Sequence, residues 1–203
     1  MTTRAGKDER LGWGDNVLGR AGLRAVAVAA AALMLGGCGL LSGPKTLQQD
    51  DPQVMTVTSS EFGPGVPIPP QYTCFARHPQ TPPLSWTGAP PGTRALALVM
   101  DDGAPISGAP ITPYIYWIVF NISPATPDIQ AGRPPPGALQ ADNSKGTVGY
   151  SPPCPAHSHQ YRFTVYALNA ELPLRNGASL TAAWSAIAAH AIGRGRLPVI
   201  VNP

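Results

Sequence analysis

Long apolar runs, basic patches and nucleophile motifs are all missing from this chain of 203 residues. The longest uninterrupted apolar run, residues 25–35, is too short to span a bilayer core of about 30 Å as a helix. No basic patch accompanies the pI of 8.9, so nothing indicates nucleic-acid binding. No Gly-x-Ser-x-Gly elbow or other nucleophile signature occurs, which argues against a hydrolase.

The apolar run has the form of the central region of a signal peptide. Arg20 and Arg24 precede it, and residues 35–38 that end it read Leu-Gly-Gly-Cys. This ending resembles the lipobox of bacterial lipoproteins, in which the cysteine is diacylated and becomes the first mature residue. The resemblance implies acylation (palmitate) of Cys38 and a stable anchor, because two acyl chains hold a protein on a membrane. The alternative is an ordinary secretory signal with Cys38 nearby.

The chain is therefore predicted to have three parts. Residues 1–37 are the signal peptide, residues 38–52 are an acylated tether, and residues 53–203 form one domain that is large enough for a core. The signal carries five basic and three acidic residues, so its removal lowers the formal net charge from +3 to +1. The expected location is the cell membrane, lipid-anchored, on the extracytoplasmic face.

Two cysteines, Cys74 and Cys154, remain once Cys38 is acylated. An even number of cysteines outside the cytoplasm favours a disulfide. If Cys154 were reduced, it could instead join His157 and His159 as a third ligand to zinc or copper. The disulfide is the prediction, and the metal site is the alternative.

Apolar segments separated by proline and glycine predict a mainly β domain of two packed sheets. Continuous apolarity in residues 94–100 and 114–122 predicts strands covered on both faces. Further strands are predicted at residues 54–59, 161–168 and 197–201, while prolines exclude a helix or central strand from residues 62–83.

One amphipathic helix is predicted near the C-terminus. Leu180, Trp184, Ile187 and Ala191 follow spacings of four, three and four residues. Ser179 is the expected N-cap, and Gly193 is the expected end of the helix.

Polar side chains lie at the ends of the predicted strands, where loops can form a pocket. If the strand that contains Tyr161 begins near His157, then His157, His159 and Tyr161 face the same side. Imidazoles and a phenol beside the carboxylate of Asp102 suit an anion such as phosphate. The proline-rich loop at residues 152–155 would form a rigid wall of this pocket. The alternative is that Asp102 caps a turn and the histidines are solvated.

Three segments carry a resemblance to the phosphatidylethanolamine-binding protein family. Residues 96–105 are similar to its Asp-Pro-Asp-Ala-Pro segment, residues 116–122 to its His-Trp-Val-Val-Tyr-Asn-Ile strand, and residues 149–161 to its loop with Pro-Cys-Pro and His-x-Tyr. The order and spacing of these and three shorter matches resemble the bacterial, Raf-kinase-inhibitor-like branch. The shorter matches lie at residues 72–74, 82–86 and 190–197.

The resemblance implies an antiparallel β-sandwich with one or two peripheral helices and a small anion pocket. Carried over, the ligand-binding residues are Asp102, Tyr116, His159 and Tyr161, with Gly149 to Pro153 as a backbone wall and His157 as a further donor. The expected ligand is a small anion or phosphorylated compound, which includes a phospholipid head group. No cofactor and no enzymatic activity are expected, and the resemblance gives no protein partner. Ser151 and Ser158 lie near the histidines, so a hydrolase is a less favoured alternative.

Two departures from the family pattern affect the pocket. The chain is one residue short in the first motif, so Asp101 or Asp102 could be the pocket carboxylate. We predict Asp102, because a turn absorbs a gap more easily than a strand does. Tyr116 stands where the family usually has histidine, and a phenol donates a hydrogen bond without becoming a cation. Weaker or altered ligand binding is expected unless His157 substitutes.

Overall fold

The computed structural model describes residues 54–103 and 113–203. The predicted signal peptide and tether, including Cys38, lie outside the described residues. The described part contains eight strands, one α-helix, α1 (Leu180–His190), and a short 3-10 helix at Pro70–Tyr72. The strands are β1 (Thr56–Thr58), β2 (Leu84–Thr87), β3 (Ala95–Asp101), β4 (Ile115–Ile122), β5 (Asp128–Ile129), β6 (Leu139–Gln140), β7 (His159–Leu168) and β8 (Ala191–Val201).

The strands form two antiparallel sheets, which confirms the predicted mainly β fold. The large sheet has the order β6-β4-β3-β7-β8, and the small sheet has the order β1-β2-β5. One apolar core joins Val57 and Trp86 of the small sheet to Leu98, Trp117 and Phe163 of the large sheet. The sheets therefore pack face to face as a sandwich.

A second apolar cluster covers the opposite face of the large sheet. Ala183 and Ile187 of α1 pack there with Val99 and Phe120, and all four are fully buried. Strands β3 and β4 are thus buried on both faces, which confirms the prediction from their continuous apolarity. We refer to this side as the helix face, and to the side within the sandwich as the inner face.

The helix begins as predicted but ends earlier. The Ser179 hydroxyl accepts a hydrogen bond from the amide of Ala182 at 3.3 Å, as an N-cap does. The chain then passes directly from His190 into β8, so the prediction that Gly193 ends the helix is wrong. Gly193 pairs with Ala167 of β7 within β8, and a Cβ at this position would come within 2.9 Å of Val54 Cγ2. The last strand is accordingly longer than predicted.

The proline-rich segment before β2 forms an ordered connection without a long helix or strand. Phe62, Ile68 and Tyr72 are buried in the sandwich core. In residues 54–103 and 113–203, no helix is both long and apolar enough to cross a membrane.

Candidate functional site

A pocket of about 320 Å³ lies where β3 ends and β7 begins. It contains five of the predicted ligand residues. Its lining consists of Asp102, Tyr116, Pro155, Ala156, His157, Ser158, His159 and Tyr161.

Backbone hydrogen bonds hold the three walls of the pocket together. The amide of Asp102 donates to the carbonyl of Tyr114 at 3.2 Å, and this bond joins the end of β3 to the start of β4. The amide of Ser151 donates to the carbonyl of Tyr116 at 2.8 Å, so the loop before β7 is tied to β4. The side chains of the pocket are therefore carried on segments with fixed backbones.

A β-bulge directs Tyr116 into the pocket. Met100 pairs with Trp117 but Asp101 pairs with Ile115, so Tyr116 is an extra residue on β4. Regular alternation would place Tyr116 and Trp117 on opposite faces of the sheet. Tyr116 instead packs against the inner core that contains Trp117, whereas Ile115 belongs to the helix face. The bulge thus brings Tyr116 to the same side as Tyr161.

The aromatic rings of the site form a continuous row. The ring centroids of Tyr116 and Tyr161 are 5.2 Å apart, and those of His159 and Tyr161 are also 5.2 Å apart, both with edge-to-face geometry. Tyr114 extends the row, because its centroid is 4.9 Å from that of Tyr116. Strand β7 begins at His159, so His157 lies in the preceding loop and not in the strand. His157 nevertheless lines the pocket.

Both pocket phenols remain protonated at neutral pH. Burial raises the pKa of Tyr116 and of Tyr161, and the negative charge of Asp102 raises both further. The neighbouring phenol of Tyr161 also raises the pKa of Tyr116. Each can therefore act as a hydrogen-bond donor, and positive charge in the pocket has to come from His157 or His159.

The two consecutive aspartates face opposite sides of the sheet. Asp102 lines the pocket and is partly exposed. Asp101 is buried, and its Oδ1 accepts hydrogen bonds from Arg162 Nε at 2.5 Å and from the Gly103 amide at 2.9 Å. Burial raises the pKa of Asp101, and the Arg162 guanidinium opposes this rise. The structure thus has Asp102, and not Asp101, at the pocket.

Gly149 and Pro153 do not line the pocket, contrary to the prediction of a backbone wall from residues 149–153. The carbonyl of Gly149 accepts from Asn143 Nδ2 at 3.0 Å, and the carbonyl of Pro153 accepts from the Cys74 amide at 3.1 Å. These bonds hold the loop to residues 143 and 74, neither of which lines the pocket. Pro155 and Ala156 form the wall instead. The sequence could have indicated this, because both residues directly precede the predicted ligand residue His157.

The predicted disulfide is present. The sulfur atoms of Cys74 and Cys154 are bonded, and their Cα atoms are 5.2 Å apart. Cys154 therefore offers no thiolate to a metal, which removes one ligand of the alternative site with His157 and His159. Within the described residues, no group of three or more His, Cys, Asp or Glu side chains is placed to hold a metal ion.

A hydrogen bond also joins the two segments that the disulfide connects. The Tyr150 hydroxyl donates to the carbonyl of Tyr72 at 2.6 Å. The segment before the pocket wall is thus attached to residues 72–74 by a covalent bond and two hydrogen bonds. The pocket wall begins one residue after this attachment, at Pro155.

Residues 58–202 match the family model described as phosphatidylethanolamine-binding protein. This chain belongs to the phosphatidylethanolamine-binding protein (PEBP) family. The PEBP domain is thus the sandwich that holds the pocket.

Relatives of this PEBP-family chain occur in bacteria and archaea. "Putative lipoprotein LppC" of Mycobacterium tuberculosis is 37% identical over 191 residues, which cover 85% of this chain and 92% of that protein. A UPF0098 protein of Methanothermobacter thermautotrophicus is 39% identical over 136 residues, 64% of this chain and 87% of that protein.

Two solved structures share the PEBP fold. The PEBP homologue CT736 of Chlamydia trachomatis has a TM-score of 0.65 and 33% identity, and the match covers 74% of this chain and 99% of that one. Escherichia coli YbcL, described as a member of the mammalian PEBP family, has a TM-score of 0.64 and 23% identity, with the same coverage of 74% and 99%. The second likeness concerns the fold alone.

Proposed function

We propose that this PEBP-family protein binds a small anionic or phosphorylated ligand, such as a phospholipid head group, while it is anchored by lipid to the extracytoplasmic face of the membrane. The observation that carries the proposal is the convergence of four hydrogen-bond donors on one pocket. These donors are Tyr116, His157, His159 and Tyr161.

The chemistry of the pocket suits a phosphate monoanion. Its oxygens can accept from the two phenols and the imidazoles, and its remaining P–OH group can donate to the carboxylate of Asp102. A phosphate ester with an ammonium group, such as O-phosphorylethanolamine, can present that ammonium to Asp102 instead. The carboxylate disfavours a fully ionised phosphate, because like charges repel at short distance.

Binding without catalysis is the favoured activity. Ser151 is buried and is not part of the pocket lining, so it does not reach a ligand there. Ser158 lines the pocket, but the sequence around it matches no nucleophile motif. Purified protein is expected to release neither p-nitrophenol from p-nitrophenyl acetate nor phosphate from p-nitrophenyl phosphate. Turnover that disappears in His159→Ala would contradict this expectation.

Membrane anchoring through Cys38 is supported by the lipobox-like ending and by the name of the Mycobacterium tuberculosis relative, which includes the word lipoprotein. The disulfide agrees with an oxidising compartment. Metabolic labelling with a palmitate analogue should mark the wild-type chain and leave Cys38→Ala unlabelled. Equal labelling of both proteins would exclude Cys38 as the acylated residue.

The ligand proposal is tested by calorimetry with inorganic phosphate and O-phosphorylethanolamine near pH 6. Loss of His159 removes a charge-assisted hydrogen bond, so His159→Ala should bind about tenfold more weakly or worse. His190→Ala is the matched control, because His190 lies at the end of α1 and contacts Asn169. No binding by the wild type, or equal losses in both variants, would contradict the proposal.

A further inference from the structure

Three arginines lie together on the helix face of the large sheet. Thr164 pairs with Arg196 and Tyr166 pairs with Arg194 across β7 and β8, and Arg162 pairs with Asp101 across β7 and β3. Directly paired residues project from the same face of a sheet, and so do residues two apart on one strand. The guanidinium groups of Arg162, Arg194 and Arg196 therefore belong to one surface, which we call the arginine cluster.

The arginine cluster is separate from the pocket described above. Tyr161 lines the pocket from the inner face, and the next residue, Arg162, projects from the opposite face. Asp101, the last residue of β3, and Asp102, which follows it, are separated in the same way. A ligand of the arginine cluster would thus not touch His159 or Tyr116.

The arginine cluster brings like charges close together. The formal charges of its three guanidinium groups and of the Asp101 carboxylate, which is bonded to Arg162, sum to two positive charges. Neighbouring strands lie about 4.8 Å apart, and charges interact over about 8 Å at physiological salt before they are screened. The arginines of β7 and β8 are therefore close enough to repel one another. Burial, and the like charges of Arg194 and Arg162, lower the pKa of Arg196. An anion between these side chains would relieve the repulsion.

Several donors of the cluster also lack partners. Arg162 Nη2, Arg196 Nε, Arg196 Nη2 and the Thr164 hydroxyl are buried without a hydrogen-bond partner in the part of the chain that the structure describes. Thr164 is fully buried, whereas the Arg162 side chain keeps 16% of its exposure. Buried donors without acceptors are costly, and charged ones are the most costly. An oxyanion supplies the missing acceptors.

We propose that Arg162, Arg194 and Arg196, with the hydroxyl of Thr164, form a second ligand site that binds a phosphate-bearing anion of two or more negative charges. Guanidinium groups bind phosphate oxygens in pairs, and this planar geometry distinguishes them from lysine. The preference for high charge contrasts with the pocket, where Asp102 disfavours it. The two sites would therefore bind different phosphate species on opposite faces of one sheet.

The test uses the full chain carrying His159→Ala, so that binding at the pocket is weakened in every protein compared. Calorimetry with pyrophosphate should show a saturable site that weakens as salt is added. Arg194→Gln with Arg196→Gln should weaken binding about tenfold or more, because charge-assisted hydrogen bonds are lost. The control is Arg133→Gln with Arg175→Gln, which removes the same charge from two exposed loop positions.

Stability provides a second measurement. Without pyrophosphate, the melting temperature of the Arg194→Gln and Arg196→Gln protein gives the baseline for this variant. With pyrophosphate, the melting temperature should rise in the parent and not in this variant. If the double variant fails to fold, Arg196→Lys replaces it, since it keeps the charge but loses the paired donors, and it should also bind more weakly.

Vesicles that contain phosphatidic acid identify the source of the phosphate. Cluster-dependent binding to pyrophosphate alone indicates a soluble ligand, and cluster-dependent binding to the vesicles as well indicates a lipid head group. Unchanged pyrophosphate affinity in the cluster variant, or an equal loss in the control, would overturn the proposal. Neither result depends on whether the pocket binds an anion.

Discussion

The disulfide offers the most direct quantitative prediction, because it closes a long loop. Cys74 and Cys154 are separated by 80 positions in the sequence. In the loop-entropy description, a closed loop of this size lowers the entropy of the unfolded chain by about 15 cal/mol/K, which is about 4.5 kcal/mol at 25 °C. Replacement by Cys74→Ser with Cys154→Ser should therefore destabilise the domain by up to about 4.5 kcal/mol, within the usual range of about 2–5 kcal/mol.

The assay is equilibrium unfolding in guanidinium chloride, followed by tryptophan fluorescence. For a domain of this size, the same loss should lower the melting temperature by roughly 9–18 °C, since about 1 kcal/mol corresponds to about 2–4 °C. A reductant should shift the wild type to the position of the double variant and leave the double variant unchanged. Coincident unfolding curves for the oxidised wild type and the double variant would refute the reasoning.

The disulfide also has a consequence for the pocket. Its Cys154 half is followed directly by the wall residues Pro155 and Ala156, and the Pro153 carbonyl accepts from the Cys74 amide. Reduction should release this wall, so that phosphate affinity falls while the sandwich stays folded. Phosphate affinity that is the same before and after reduction would show that the hydrogen bonds alone hold the wall.

Three further predictions concern single residues. Tyr116→His should strengthen phosphate binding about fivefold at pH 5.5 and little at pH 8, because an imidazolium donates a stronger hydrogen bond than a phenol. Calorimetry that gives the same ratio of variant to wild-type affinity at both pH values would contradict this. Gly195→Ala should destabilise the domain by about 1–3 kcal/mol in chemical unfolding, because overpacking shifts the backbone. A Cβ at Gly195 would lie 2.5 Å from the Met55 carbonyl oxygen, whereas the control Gly63→Ala meets nothing closer than 3.8 Å. Burial raises the pKa of Tyr72 from 10.0 to about 12, so the stability that the neutral phenol contributes is present below pH 10 and lost as the pH rises through about 12. Unfolding curves between about pH 9 and 11.5 should show a shallower loss for Tyr72→Phe, and parallel losses would refute this.

Most of the sandwich follows from patterns that the sequence displays openly. Strands buried on both faces have to be continuously apolar, so β3 and β4 are recognisable without any tertiary information. The N-cap at Ser179 is equally local. The end of α1 is not, because Gly193 has the character of a helix terminator but pairs with Ala167 of β7 as part of β8. That pairing joins residues distant in sequence, so local patterns do not reveal it.

The sequence predicted the site where the residue type was enough to identify a ligand residue. It was less informative where the face of the sheet to which a side chain projects had to be known. Asp102, His159 and Tyr161 could be identified from their positions at strand ends. The direction of Tyr116 depends on a bulge, which is a property of pairing between β3 and β4 and leaves no composition signal. The arginine cluster was not predicted for a related reason. Its members are spread over two strands, and only the antiparallel register brings them together.

Strand β7 links the two sites, since its consecutive residues Tyr161 and Arg162 serve opposite faces. A shift of one residue between β3 and β7 would exchange the faces of every side chain on β7. The bond between Asp101 and Arg162 opposes such a shift, because it is made only in the observed register, in which these two residues are directly paired. We infer that this ion pair, of which Asp101 is buried and Arg162 is partly exposed, helps to keep Asp102 and Tyr161 together at the pocket, although neither of its members lines the pocket. Its contribution to the site is then positional, because it favours the observed register.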